Sequence, residues 1–389
     1  MGPLEGIRVI DLTAVVLGPM ATQILADYGA DVIKVEPLTG DLMRANGMSR
    51  TKGMSSTFMN LNRNKKSVAV NLKTQAGLDA IKALIKTADV LVHNMRTKAI
   101  GRLGLGYEAI QQINPEIIYC AATGYADDGA YAGRPAFDEI IQAASGLAGL
   151  LEQESGKPDY LPSLVADKVT GIVTANAVLG ALVYKGRTGK GQYVEVPMFE
   201  TMVAFTLTEH MGGQGFVPPI GPAGYARLLK GGRKPCPTKD GYVALLPYTE
   251  SHWTAFFSAQ GRKDLLEKYD LGNRHERNQR IQELYEDLRS TTREFTTQEL
   301  IDLCSKLDIP VTPIYTVDNI GEHEHLRSVG LFEEHTHPTE GKIKAIRPTT
   351  RFSLTPTAIE RQPPRIGADT EEVLASIGLS PEDIERTRA

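Results

Sequence analysis

Short runs dense in apolar residues alternate with helical segments through the first third of this chain, and that alternation constrains its fold most. An apolar run at Ile7–Leu12 leads into a turn, then Pro19 at a first helical position, then a helix reaching Tyr28 where Gly29 supplies a stop. A second run, Asp31–Val35, ends before Glu36-Pro37. The unit recurs as a helix over Gln75–Ala88, a strand over Asp89–His93, a helix over Tyr107–Ile113 and a strand over Glu116–Ala121. Strands separated by helices need right-handed crossovers and a parallel sheet covered on both faces, so the fold class is α/β. Phe137–Leu151 and Asp167–Tyr184 read as helices with wide apolar faces, and the turn at 186–191 leads into a strand over Tyr193–Val196. Residues 211–235 are dense in Gly and Pro, which fits a linker or mobile loop. A strand at Tyr242–Leu246 and amphipathic helices to about Leu307 form a second, smaller unit. From Leu326 the pattern turns to β-like segments, followed by a helix near Thr370–Ile377 and a polar tail.

Composition narrows the function classes. A chain of 389 residues exceeds one ordinary core and implies two domains or a large insertion. A net charge of −4 lacks the basic face on which nucleic-acid binding depends. No apolar run approaches the roughly 20 residues of a membrane span, and no signal-peptide pattern is visible, so neither a membrane nor a secretory role is expected. Three widely spaced cysteines, Cys120, Cys236 and Cys304, suit a reduced compartment, and a cytoplasmic location is expected.

Several motifs fail on context. Gly104-Leu-Gly106-Tyr-Glu-Ala109 matches a dinucleotide fingerprint but follows a helical turn at Lys98–Leu103 rather than a first strand, so NAD is not expected. The Gly186–Gly191 turn lacks phosphate-loop spacing. His323, His325, His335 and His337 lack metal-site spacing and read as solvated residues, so no metal is expected. No serine sits in a nucleophile elbow. The remaining candidate is Asp167, between the extended segment 161–166 and an apolar helix. An aspartate there is first of all a helix cap, worth about 1 kcal/mol. The same place, with the helix dipole and free backbone donors, keeps a carboxylate ionised, and such a group can attack an acyl carbon.

Residue strings along nearly the whole chain carry a resemblance. They include Pro3-Leu-Glu-Gly-Ile-Arg-Val-Ile-Asp-Leu12, Gly29-Ala-Asp-Val-Ile-Lys-Val-Glu36, Asn62-Arg-Asn-Lys-Lys-Ser67 and Arg134-Pro-Ala-Phe-Asp138. Gln142-Ala-Ala-Ser-Gly146, Thr188-Gly-Lys-Gly-Gln192 and Pro364-Arg-Ile-Gly-Ala-Asp369 complete the ordered set. Together they resemble the class III CoA-transferases, the family of formyl-CoA transferase, carnitine CoA-transferase and α-methylacyl-CoA racemase. The resemblance implies a large domain with a Rossmann-like parallel sheet, over 1–210 and 326–389, and an inserted small α+β domain over 225–325 on Gly/Pro-rich linkers. It implies an interlocked homodimer, coenzyme A and acyl-CoA as substrates together with a small carboxylic acid, and Asp167 as the covalent nucleophile. CoA contacts are implied at Val15, Val70, Asn94, Met95, Arg102, Thr123 and Tyr125, with Lys65 and Lys66 as further phosphate neighbours. Pro37 and Thr123 depart from residues that some members place near CoA, and the tetraglycine loop of formyl-CoA transferase has no counterpart in 224–232. The racemase branch, the alternative, needs a histidine where this chain has Phe137. Arg227, Lys230, Arg233 and Lys234 form a cationic group suited to a second carboxylate, which points to succinyl-CoA as donor and a dicarboxylate as acceptor.

Overall fold

Alternating apolar residues place each strand between two packed layers. The six strands β1 (Arg8–Leu12), β2 (Asp31–Glu36), β3 (Lys65–Ala69), β4 (Val90–His93), β5 (Ile118–Thr123) and β6 (Tyr193–Pro197) make one parallel sheet. Their order, β3-β2-β1-β4-β5-β6, is that of dinucleotide-binding sheets. In this computed structural model, residues 2–229 and 232–389 are described, apart from the side chains of Glu154 and Arg227. The chain divides into two compact units, Met1–Leu207 with Val329–Ala389, and Thr208–Ser328.

The helices of the sheet region are α1 (Leu17–Asp27), α2 (Ser56–Leu61), α3 (Gln75–Ile85), α4 (Thr97–Arg102), α5 (Tyr107–Ile113), α6 (Asp138–Ala144), α7 (Leu147–Ser155) and α8 (Val165–Thr188). Successive strand residues point to opposite faces. Ile10, Ile33, Val68 and Leu91 pack with Ile81 and Leu84 of α3 and with Leu374 near the C-terminus, while Val9, Val32, Val90 and Val92 pack with Leu25 of α1 and Val178 of α8. Each such buried side chain contributes about 1.5–3 kcal/mol.

Several sequence expectations need correction. β3 had no predicted strand because Lys65-Lys66 reads as polar loop; Lys65 is instead wholly buried, with its ammonium on Asp11, Thr22, Asn62 and the Pro19 carbonyl. Phe137–Leu151 is two helices, broken at Gly146 with φ +86°. The polar tail carries a further helix, Pro381–Arg386. Finally, α8 is long and apolar enough to cross a membrane by length and composition; the sequence reading counted only the uncharged stretch 169–184, between Asp167-Lys168 and Lys185. Here it lies along α1 and the sheet, burying Thr170, Gly171, Thr174, Ala175 and Val178.

At Gly171, α8 packs closely against α1. A Cβ there would sit 2.7 Å from the Leu17 carbonyl oxygen and 3.2 Å from Met20 Cβ. Gly171→Ala is expected to destabilise the protein by about 1–3 kcal/mol through overpacking. Because Asp167 lies one turn earlier on the same helix, any activity that depends on its carboxylate should fall further at 25 °C than the fraction folded. Denaturant unfolding beside steady-state rates checks both.

The smaller unit has a three-stranded antiparallel sheet, β7 (Cys236–Pro237), β8 (Tyr242–Leu245) and β9 (Val311–Pro313), over a core containing Trp253, Phe256, Phe257, Leu288 and Leu300. In the larger unit β10 (Phe332–His337) and β11 (Gly341–Ile346) pair as a hairpin. His337 is buried rather than solvated, bonded to the Pro363 carbonyl and accepting from the Thr339 and Glu340 N–H groups.

Candidate active site

In an open parallel sheet, ligands bind beyond the carboxyl ends of the strands where the order reverses. Here that point lies between β1 and β4. The turn after β1 is Thr13–Val16, and the segment after β4 begins at Asn94. Asn94 bridges the two: its Oδ1 accepts from Ala14 N–H at 2.9 Å and its Nδ2 donates to the Ala14 carbonyl at 2.7 Å. Val15 has φ +72°, a left-handed conformation costing a side-chain-bearing residue roughly 1–2 kcal/mol and especially unusual for a β-branched one. Gly18 is required at the start of α1, since a Cβ would meet Thr13 Cβ at 2.2 Å.

Asn94, Met95, Thr123 and Tyr125 line one cavity of about 180 Å³ beyond β4 and β5, together with Arg96, Thr97, Arg134 and Phe137. Thr123 donates to the Tyr125 carbonyl, and the Tyr125 ring meets Tyr131 edge-on at 5.4 Å. Arg134 stacks over Tyr131 at 3.8 Å. Other predicted contacts fall elsewhere. Val70 is fully buried in the core, leaving no side chain for a ligand. Lys65 is sealed under β1 and α1 as part of a buried charge network and is no phosphate contact. Burial lowers its pKa to about 8, with Asp11 opposing. Lys66 pairs with Asp31 at 3.0 Å. Arg102 is exposed at the end of α4 and does not line the cavity.

Asp167 is the third residue of α8, not its cap; the capping position is Leu164, whose side chain accepts nothing. The missing acceptor comes from another helix. Asp138, 3% exposed at the start of α6, takes the Asp167 N–H on Oδ1 at 3.0 Å. Its Oδ2 accepts from Gln142 at 2.6 Å, and Gln142 Oε1 accepts from Leu161 N–H, pinning the approach to α8. Phe137, one residue before Asp138, lines the cavity and is 65% exposed, so its ring is not packed away. Among the described residues the Asp167 carboxylate makes no hydrogen bond or ion pair. Burial, then the charges of Asp138 and Glu139, push its pKa up to about 7, opposite to the shift expected from a helix terminus alone.

All four cationic positions fall within the smaller unit, Thr208–Ser328; Lys230 and the Arg227 side chain lie outside the described residues. The sequence reading missed Arg96, Thr97 and Arg134 on the cavity wall and Asp138 as the acceptor of the Asp167 N–H. Arg134 and Asp138 stand in a string already singled out for resemblance, which was the available signal. Among the described residues no cluster of His, Cys, Asp and Glu is arranged to hold a metal.

A dinucleotide-order sheet with a cavity beyond the carboxyl ends of β4 and β5, and an aspartate without a side-chain partner near the start of α8, define an α/β protein with a ligand site of this kind. The chain matches CoA-transferase family III over residues 4–370 and belongs to that family; it is a transferase. It is 34% identical over 382 residues to mouse succinyl-CoA:glutarate CoA-transferase, covering 97% of this chain and 87% of that one. It is 33% identical to the succinyl-CoA–L-malate CoA-transferase beta subunit of Chloroflexus aurantiacus, covering 100% and 97%. The crystal structure of a CaiB/BaiF family protein from Brucella suis superposes with a TM-score of 0.84 at 26% identity, covering 97% and 99%.

Proposed function

We propose that this enzyme moves CoA from succinyl-CoA to a small dicarboxylic acid through covalent intermediates on Asp167. The observation that carries the reading is the Asp167 carboxylate, fixed through its backbone by Asp138 yet itself unpaired. Relatives at comparable identity are named for transfer from succinyl-CoA to glutarate and L-malate, both dicarboxylates, which supports the substrate class. In the first step Asp167 attacks the thioester carbonyl, forming an aspartyl anhydride and releasing CoA thiolate. The thiolate attacks the aspartyl carbonyl, giving an enzyme-bound CoA thioester and free succinate. The acceptor carboxylate displaces CoA as a new anhydride, and the thiolate then takes the acceptor's acyl group, restoring the carboxylate. Val15, Asn94, Met95, Thr123 and Tyr125 form the CoA contact surface in this reading. Incubation with succinyl-CoA and a panel of mono- and dicarboxylic acids, read by mass spectrometry of the CoA products, tests it. Dicarboxylyl-CoA products are expected, and transfer confined to monocarboxylic acids overturns the substrate class.

The reading includes an interlocked homodimer in the cytoplasm. Ile172 and Val183 are 52% and 55% exposed on α8, an apolar surface that a partner subunit would cover. Linked subunits cannot part without unfolding. Tagged and untagged protein should therefore show no exchange over hours under native conditions, and mixing within minutes counts against the linkage.

A further inference from the structure

We infer that Asp41 and Lys34 are positioning residues that hold the β1–α1 turn, through the backbone of Val15, in the shape that receives CoA. This rests on the CoA-binding role proposed above for that turn.

The turn is held by Asp11 close by and by three side chains distant in sequence, Lys34, Asp41 and Asn94. Thr13 N–H donates to Asp11 Oδ1 at 2.9 Å, and the Thr13 carbonyl accepts from Lys34 Nζ at 2.9 Å. Asn94 takes both polar groups of Ala14. Val15 N–H donates to Asp41 Oδ1 at 3.2 Å. Lys34 Nζ sits 2.8 Å from the other carboxylate oxygen of Asp41, both side chains being closed to solvent. A buried carboxylate is tolerable only when neutralised, so Lys34 is what allows Asp41 to reach under the turn. Asp41 is itself fixed from behind. Its N–H donates to Glu36 Oε2, which Arg44 grips at 2.7 Å, and it caps the short helical turn Leu42–Arg44 by accepting from Met43 N–H.

This arrangement is needed because Val15 does not adopt φ +72° unaided. Left-handed residues other than glycine persist where their surroundings over-determine them, and they gather at functional sites. Without the Asp41 acceptor the Val15 peptide relaxes toward negative φ, and the turn beside Asn94 changes shape at the sheet's switch point. Asp167 is held independently, by Asp138, so its chemistry is spared. The loss falls on binding.

The test uses the full-length protein, with CoA affinity measured by calorimetry and steady-state rates measured against succinyl-CoA. Asp41→Ala should weaken CoA binding and raise the donor KM by about tenfold, the scale of losing a buried charge-assisted bond, while kcat falls less than about threefold. Asp41→Asn keeps an acceptor for Val15 N–H and should retain more affinity than Asp41→Ala. Placing Val15→Gly in the Asp41→Ala background should recover most of the lost affinity, because glycine takes positive φ without strain. Effects of the two substitutions that simply add, or wild-type CoA affinity in Asp41→Ala, overturn the inference. A wild-type protein that binds no CoA instead overturns the reading on which the inference rests, so the two failures are distinct. Circular dichroism of each variant keeps a folding defect from passing as a binding one: should Asp41→Ala unfold, the same comparison is made with Asp41→Asn.

Discussion

Asp167→Ala is expected to abolish CoA transfer, lowering kcat by more than about 10³-fold, the scale on which losing a covalent nucleophile acts. CoA affinity should change little. The turn bearing Val15, the Asn94 bridge and the cavity beyond β4 and β5 lie on elements that do not depend on the Asp167 side chain. The backbone of α8 should also stay in place, because Asp138 accepts the N–H of residue 167 whatever its side chain. A second measurement addresses the intermediate directly. Wild-type enzyme incubated with succinyl-CoA and then hydroxylamine should carry a hydroxamate on the peptide containing Asp167, and the alanine variant should carry none. An alanine variant transferring CoA near the wild-type rate ends the covalent reading. Phe137 separates this chemistry from α-proton exchange, which needs two bases on opposite faces of the carbon. In deuterated water the enzyme should not accelerate exchange at the α-carbon of a 2-methylacyl-CoA.

The sheet was legible wherever burial was apolar. β1, β2 and β4 are rich in Val, Ile and Leu, β5 is an uncharged run of Ile, Tyr, Cys and Ala, β6 alternates Val with polar residues, and the alternation with helices gave their parallel pairing. β3 was hidden because its first residue is buried as a charge: Lys65 enters the core only by pairing with Asp11, a long-range partner that no local pattern reveals. The site divides in the same way. Asp167 stood out at a helix start, and Asn94, Met95, Thr123 and Tyr125 were identified through resemblance; the fold gathers those four around one cavity. Asp138 and Asp41 act on backbone N–H groups 29 and 26 positions away in sequence. Their roles exist only once the sheet has brought α6 to α8, and the end of β2 to the end of β1. The same dependence explains the reversed electrostatics at Asp167. Position in a helix argues for an easily ionised acid, but burial and two acidic neighbours are properties of the packed state.

That reversal sets the pH dependence. In the proposed mechanism the attacking species is the carboxylate, and kcat/KM for the donor reports ionisation of the free enzyme. An ordinary aspartate would leave the profile flat to below pH 5. With the Asp167 pKa near 7, raised by burial first and then by Asp138 and Glu139, the reactive fraction falls about tenfold per unit below neutrality. The donor kcat/KM at pH 5 should then lie about 100-fold under its alkaline plateau, with unit slope between. Asp138→Asn removes one of the two negative neighbours and should move this limb to lower pH, by less than the whole displacement because burial remains. Stability carries the opposite sign. A carboxyl whose folded pKa exceeds its unfolded value of 3.8 binds more protons folded than unfolded, so its contribution declines as pH rises from about 4 to 7. Asp167→Asn, neutral at every pH, should melt close to the wild type at pH 4 and above it at pH 8. A pH-independent kcat/KM between 5 and 8, with equal melting temperatures at pH 8, would remove the case that Asp167 is held uncompensated in the folded enzyme. Agreement of both measurements would show that the fold gives up stability at this residue to keep an unpaired nucleophile.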